Sequence, residues 1–180
     1  MSEKQLSDKT MKLIVVMGVS GCGKSSVARA LAGHFGYEFV EADDFHPQEN
    51  IDHMASGHSL TDEMREPWIQ LLQAHLKQSA KSERSCVLSF SGLRRLHRAK
   101  IRDLPFASLF LHLEGDKELI KSRIEARADH FMPSSLLDSQ YQTLEAASKK
   151  EHIVSIDISQ TIEEVINSAT TYTTQHFTNK

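Results

Sequence analysis

Eight consecutive residues, Gly18-Val19-Ser20-Gly21-Cys22-Gly23-Lys24-Ser25, place glycines, a lysine and a hydroxyl in the spacing G-x-x-x-x-G-K-[ST]. That spacing suits a phosphate cradle. Glycines let the backbone turn tightly, so that several N–H groups point into one concavity. A helix that opens at the end of the loop adds about half a positive charge. Lys24 is placed to reach β- and γ-phosphates, and the Ser25 hydroxyl to ligate Mg²⁺. The loop is therefore predicted to hold the triphosphate of ATP together with Mg²⁺. Cys22 fills a variable position of the pattern and is expected to contribute only its backbone.

Three further groups of residues bear on what receives the phosphate. Glu41, Asp43, Asp44 and His46 follow closely on a strand-like segment. A hydroxyl acceptor needs a carboxylate within hydrogen-bond reach to orient it and take its proton, and the Asp43-Asp44 pair suits that task. Arg123 and Arg127 are four residues apart, so they share one helix face. They lead into Ala-Asp-His-Phe-Met-Pro, read as a mobile lid over about 123–135, where two guanidinium groups would clamp a transferring phosphate. The basic run Arg94, Arg95, Arg98, Lys100 and Arg102 has no interleaved aromatics and is read as a site for a small anion, not for nucleic acid. His46, His53 and His58 lack ligand-like spacing.

A phosphate loop also serves GTPase switches and motors. A switch needs D-x-x-G and N-K-x-D, and neither string occurs. A motor needs a longer chain. A kinase of a nucleotide or a small metabolite remains, with a non-catalytic nucleotide sensor as the competing class.

The elements that must position these residues alternate along the chain. Leu13 to Met17 is a continuous apolar run, as expected for a strand buried on both faces. Ser25 to Phe35 has apolar positions at helical spacing, and Gly36 supplies its stop. Tyr37 to Val40, Cys86 to Phe90, Leu109 to Leu113 and Ile153 to Ile156 read as further strands. A short helix is expected around Ile51 to Ala55. Thr61 is a suitable N-cap, and Pro67 is read as the start of a longer helix. Helices are also expected over about 117–127, 134–144 and 162–169. Strands alternating with helices imply a three-layer α/β/α fold with a five-stranded parallel sheet. Ligands in such sheets lie beyond the carboxyl ends of the strands.

Composition agrees with this class. The chain has 180 residues, suited to one domain over residues 11–180 behind a polar tail at 1–10. Its net charge of −3 argues against a broad polyanion-binding surface. Cys22 and Cys86 lie far apart and form no CxxC pair, which fits a reducing cytoplasm. No apolar run approaches the ~20 residues of a membrane span. The first ten residues lack the apolar centre of a signal peptide.

The blocks GVSGCGKSS, DDFHPQENIDHMASGHSLTDEMREPW and HFMPSSLLDSQYQTLE together resemble the bacterial-type gluconokinase family, from about Leu13 to about Val165. The resemblance implies the fold of nucleoside monophosphate kinases, a homodimer, and transfer of phosphate from ATP to the 6-hydroxyl of D-gluconate with Mg²⁺. It also implies that Asp43 handles the acceptor hydroxyl, with Asp44 and His46 beside it. Ser91, Arg94 and Arg98 match the segment that faces the sugar acid, and Arg123 and Arg127 match the lid arginines. The chain departs from the family pattern at Glu41-Ala42, Phe90, Gly92, His97, Ala99, Asp129 and Ala146.

Overall fold

The computed structural model describes residues 10–126 and 135–178. Five strands form one sheet: β1 (Lys12–Met17), β2 (Glu38–Glu41), β3 (Cys86–Phe90), β4 (Ala107–Glu114) and β5 (Val154–Asp157), in the order β2-β3-β1-β4-β5. Every pairing is parallel. The seven α-helices among the described residues are α1 (Lys24–Phe35), α2 (Gln48–Ala55), α3 (Asp62–Lys81), α4 (Arg95–Arg102), α5 (Lys117–Glu125), α6 (Leu136–Thr143) and α7 (Ile162–Thr178). The predicted fold class is the one observed.

The continuous apolar run of β1 divides between two cores because side chains alternate across a strand. Ile14 and Val16 join Val27, Ala28 and Leu31 of α1, Ile120 and Ile124 of α5, and Val165 and Ala169 of α7. Leu13, Val15 and Met17 join Trp68, Ile69, Leu72 and Leu76 of α3 and Ile101 of α4. Ile69, Leu72 and Leu76 are fully buried, and each contributes about 2 kcal/mol of transfer free energy. β1 lies between β3 and β4, the point where the order of connection reverses. The crevice beyond its carboxyl end is where such a sheet takes a ligand.

Besides α7, which runs on to Thr178 where a helix over about 162–169 was expected, two elements differ from expectation. Pro67 does not start a helix; it lies inside α3, which begins at Asp62 and is capped by Thr61, whose side chain accepts the Met64 N–H. A proline so near the start removes a single intrahelical bond, to the carbonyl four residues back, and burial of Trp68 and Ile69 on the same helix outweighs that loss. α4 arises within the basic run that sequence reading left without structure. Its buried positions are His97, Arg98 and Ile101, so it lacks the apolar stripe that reveals most helices.

Candidate active site

Residues 18–25 run from the end of β1 into the start of α1, as a phosphate cradle requires. Gly18 has φ +144°, and a Cβ there would lie 2.8 Å from Cys22 Sγ and 2.9 Å from the Leu113 carbonyl oxygen. A side chain at that position is excluded by both conformation and space. Lys24 Nζ donates to the Val19 carbonyl oxygen at 3.0 Å. Ser25 Oγ donates to Glu41 Oε2 at 2.5 Å and lies 3.5 Å from Ser89 Oγ. A hydroxyl and a carboxylate at the rim of a phosphate loop form a pair of hard oxygen ligands. Cys22 is buried, and burial pushes its thiol above the ordinary value of 9.0, the opposite of a reactive thiolate.

Beyond β2 the chain makes a 3-10 turn, Ala42–Phe45, that carries Asp43. Trp68 fixes this turn, donating its indole N–H to the Ala42 carbonyl oxygen at 2.7 Å. The same ring stacks on His46, with centroids 4.2 Å apart. Asn50 donates through Nδ2 to the Met64 carbonyl oxygen at 2.9 Å, which orients its amide, and the same nitrogen lies 3.5 Å from His46 Nδ1. His46 Nδ1 is then the acceptor, and the ring proton sits on Nε2, which faces Asp43 Oδ1 at 3.9 Å. Burial, followed by the charge of Arg65, pushes His46 from 6.5 down to about 4. The imidazole is neutral at physiological pH, and the carboxyl group of Asp43, 42% exposed, lines the open cavity beside it.

One cavity joins the two halves. Ser20, Gly21, Gly23, Lys24 and Ser25 line its phosphate side; Asp43, His46, Arg65, Trp68, Ser91 and Leu93 line the other. Met54, Leu60 and Leu136 pack together and form part of its wall, and Ser139, Gln140 and Thr143 of α6 complete it. Ser59 Oγ and Ser139 Oγ are hydrogen-bonded across the wall. A second cleft lies between Gly21, Cys22, Arg123, Ile158, Gln160 and Ile162.

The expected site residues divide accordingly. Of the loop, Ser20, Gly21, Gly23, Lys24 and Ser25 meet Asp43, His46 and Ser91 around the first cavity, whereas Gly18, Val19 and Cys22 do not line it. Asp44 is exposed and does not line it. Arg123 lines the second cleft and donates to the Ile158 carbonyl oxygen at 3.0 Å. Arg127 and the His-Phe-Met-Pro block lie outside the described residues.

The expectations for Arg94 and Arg98 need correction. Neither lines the cavity. Arg98 is fully buried. Its Nε donates to Glu151 Oε1 at 2.7 Å and its Nη1 to the Gly92 and Leu93 carbonyl oxygens. A desolvated guanidinium demands that many fixed partners and cannot also reach a ligand. Arg94 pairs with Asp62 at 2.5 Å and approaches Glu145 at 3.7 Å. Lys100 pairs with Glu66, and Arg102 donates to the Glu151 carbonyl oxygen, so much of the basic run is engaged within the fold.

Opposite Lys24, the cation on the acceptor side of the cavity among the described residues is Arg65, which sequence reading passed over. Its side chain is 14% exposed and bonds Asp62 Oδ1 at 2.9 Å. Its position one turn into a capped helix, beside a loop already read as chemical, was the available signal.

Comparison with known proteins agrees with this architecture. A family model described as an AAA domain matches residues 13–147. The gluconokinase of Gluconobacter oxydans is 40% identical over 147 residues, covering 81% of this chain and 82% of its own. A solved sugar kinase from Janibacter sp. superposes with a TM-score of 0.86 at 43% identity, over 91% of this chain and 94% of that one. A solved gluconokinase from Sinorhizobium meliloti gives 0.79 at 41% identity, over 89% and 90%. Fold, loop and facing carboxylate thus define a P-loop kinase, an enzyme that draws its phosphoryl group from ATP. Within that class, the chain belongs to the gluconokinase family.

Proposed function

We propose that the protein transfers the γ-phosphoryl group of ATP to the 6-hydroxyl of D-gluconate, giving 6-phospho-D-gluconate and ADP. The observation that carries this reading is the single cavity in which the phosphate loop faces Asp43 and Arg65. Arg65 supplies a cation in a partly dry wall, suited to the gluconate carboxylate. Asp43 accepts the proton as the acceptor O–H bond breaks. The new bond forms from that oxygen to the γ-phosphorus, while the bond to the bridging oxygen breaks and its electrons leave with ADP. Little covalent chemistry falls to the protein; position and charge carry the rate.

The loop N–H groups and Lys24 receive the phosphates. Ser25 Oγ, with Glu41 behind it, suits Mg²⁺, which takes one or two protein oxygens and completes its shell with water and phosphate. When bound, Mg²⁺ neutralises charge on the β- and γ-phosphates. The cleft at Ile158, Gln160 and Ile162 offers a mixed polar and apolar seat for the base, with Arg123 at its edge. Arg127 retains the lid role that the family resemblance implies. A homodimer working in the cytoplasm also belongs to this proposal and rests on that resemblance alone.

A coupled ADP-release assay over sugar acids, shikimate and nucleoside monophosphates tests the reading. Gluconate-dependent ADP production with Mg²⁺ is expected. Turnover with another acceptor alone overturns the substrate and leaves the class. ATP binding without any acceptor-dependent turnover favours a sensor and overturns the reaction.

A further inference from the structure

The side chain of Gln140 sits on the phosphate loop itself. Its Oε1 accepts the backbone N–H of Ser20 at 2.6 Å, across 120 residues of sequence. Lys24 is likewise engaged by an oxygen of the protein, the Val19 carbonyl. Two cationic or donor positions of the loop are thus held by internal oxygens that mimic phosphate. An amide oxygen and a phosphate oxygen cannot both take the one Ser20 proton in good geometry. Gln140 also belongs to α6, whose residues Ser139 and Thr143 wall the acceptor side.

We propose that Gln140 is a phosphate-displaced latch. It ties α6 to the loop while the loop is empty and lets go when a triphosphate takes the Ser20 N–H. It is a positioning residue, and it makes the placement of the acceptor wall depend on occupancy of the donor site. This rests on the reading of residues 18–25 as a triphosphate cradle.

The two ligands of one N–H compete, so removing the internal one should tighten the external one. A neutral hydrogen bond has a net worth of about 1 kcal/mol, equivalent to about fivefold in affinity. The probe is inorganic tripolyphosphate, measured by calorimetry on the full chain without acceptor. Gln140→Leu should bind it about fivefold more tightly than wild type. Gln140→Glu places a charged oxygen on the same N–H and should bind it about tenfold more weakly at pH 8, with the deficit shrinking toward pH 5 as the carboxyl protonates. A purely structural role would weaken binding in both variants. Equal or weaker binding by Gln140→Leu, or a deficit in Gln140→Glu that does not respond to pH, overturns the latch. Failure of the wild-type protein to bind tripolyphosphate at all would instead overturn the cradle reading.

Discussion

Arg98 should be the residue whose loss costs most outside the apolar core. Its side chain has no exposure, and Glu151 opposite is 12% exposed. The guanidinium makes four hydrogen bonds: 2.7 and 3.2 Å to the two Glu151 oxygens, 2.8 Å to Gly92 and 3.3 Å to Leu93. Arg98→Met keeps much of the volume but takes a donor from the Gly92 carbonyl and leaves the largely buried Glu151 carboxylate with the Ser148 N–H and the more distant Arg95. Breaking one side of such a pair costs about 3–5 kcal/mol. For a chain of this length that lowers Tm by roughly 10–15 °C. Glu151→Leu should cost a similar amount by stranding the guanidinium. The double variant Arg98→Met/Glu151→Leu should cost less than the two together, by about 2 kcal/mol, because each single variant leaves the other charge without its closest partner. Urea unfolding of the four proteins closes the cycle. Singles that each lose under about 1 kcal/mol, or strict additivity, would refute the view of this pair as a desolvated strut. An acid titration adds a second check. Burial alone would raise the Glu151 acid, but Arg98 and the Ser148 N–H hold it at about 2, below its ordinary 4.5. Its contribution is therefore present above pH 4.5 and lost as pH falls toward 2; in Arg98→Met that acid limb should flatten.

Arg65→Met should raise the gluconate KM about tenfold to a hundredfold with a smaller effect on the KM for ATP, as steady-state kinetics with each substrate varied would reveal; equal effects on both would place Arg65 elsewhere in the reaction. Asp43→Asn should lower kcat by about 10²- to 10⁴-fold while leaving ATP affinity within about twofold, read by single-turnover kinetics and calorimetry. His46 is held neutral, at about 4 against 6.5, so its contribution is full above pH 6.5 and declines as pH falls from 6.5 to 4. The loss amounts to about 3 kcal/mol, and urea midpoints across that window should follow it. His46→Phe keeps the stack on Trp68 and should remove that part of the slope.

The sheet was legible because its strands obey one simple rule. Cys86–Phe90 was read to the residue, since a strand buried on both faces is a bare apolar run between polar turns. The phosphate loop was legible because its function fixes both residue types and spacing. α4 was not, because its inward positions are filled by His97 and Arg98 and only Ile101 is apolar. Leu71 shows the converse: it stands three residues after the buried Trp68 in α3, at helical spacing, yet is 51% exposed. Periodicity reports which positions share a face, and it does not report how far the neighbouring element extends over that face.

The arginines make the same point for chemistry. Sequence placed five basic or acidic side chains near the acceptor (Asp43, Asp44, His46, Arg94 and Arg98) and could not say which would be spent on the fold. The deciding quantity is the number of internal partners. Arg98 has Glu151 and two carbonyls; Arg94 has Asp62 and Glu145; both are consumed in pinning the segment after β3 against the segment after α6. Glu145 adds to that seam, its N–H donating to the Leu93 carbonyl oxygen at 2.8 Å. The seam holds Ser91 and Leu93 in the cavity wall, and the Ser91 carbonyl oxygen takes the Gly18 N–H at 3.2 Å. Arg98 thus acts on the cavity wall through the backbone, while Arg65 lines the cavity with its own side chain. Two arginines beside one site thus have two different physical roles, and burial and pairing tell them apart.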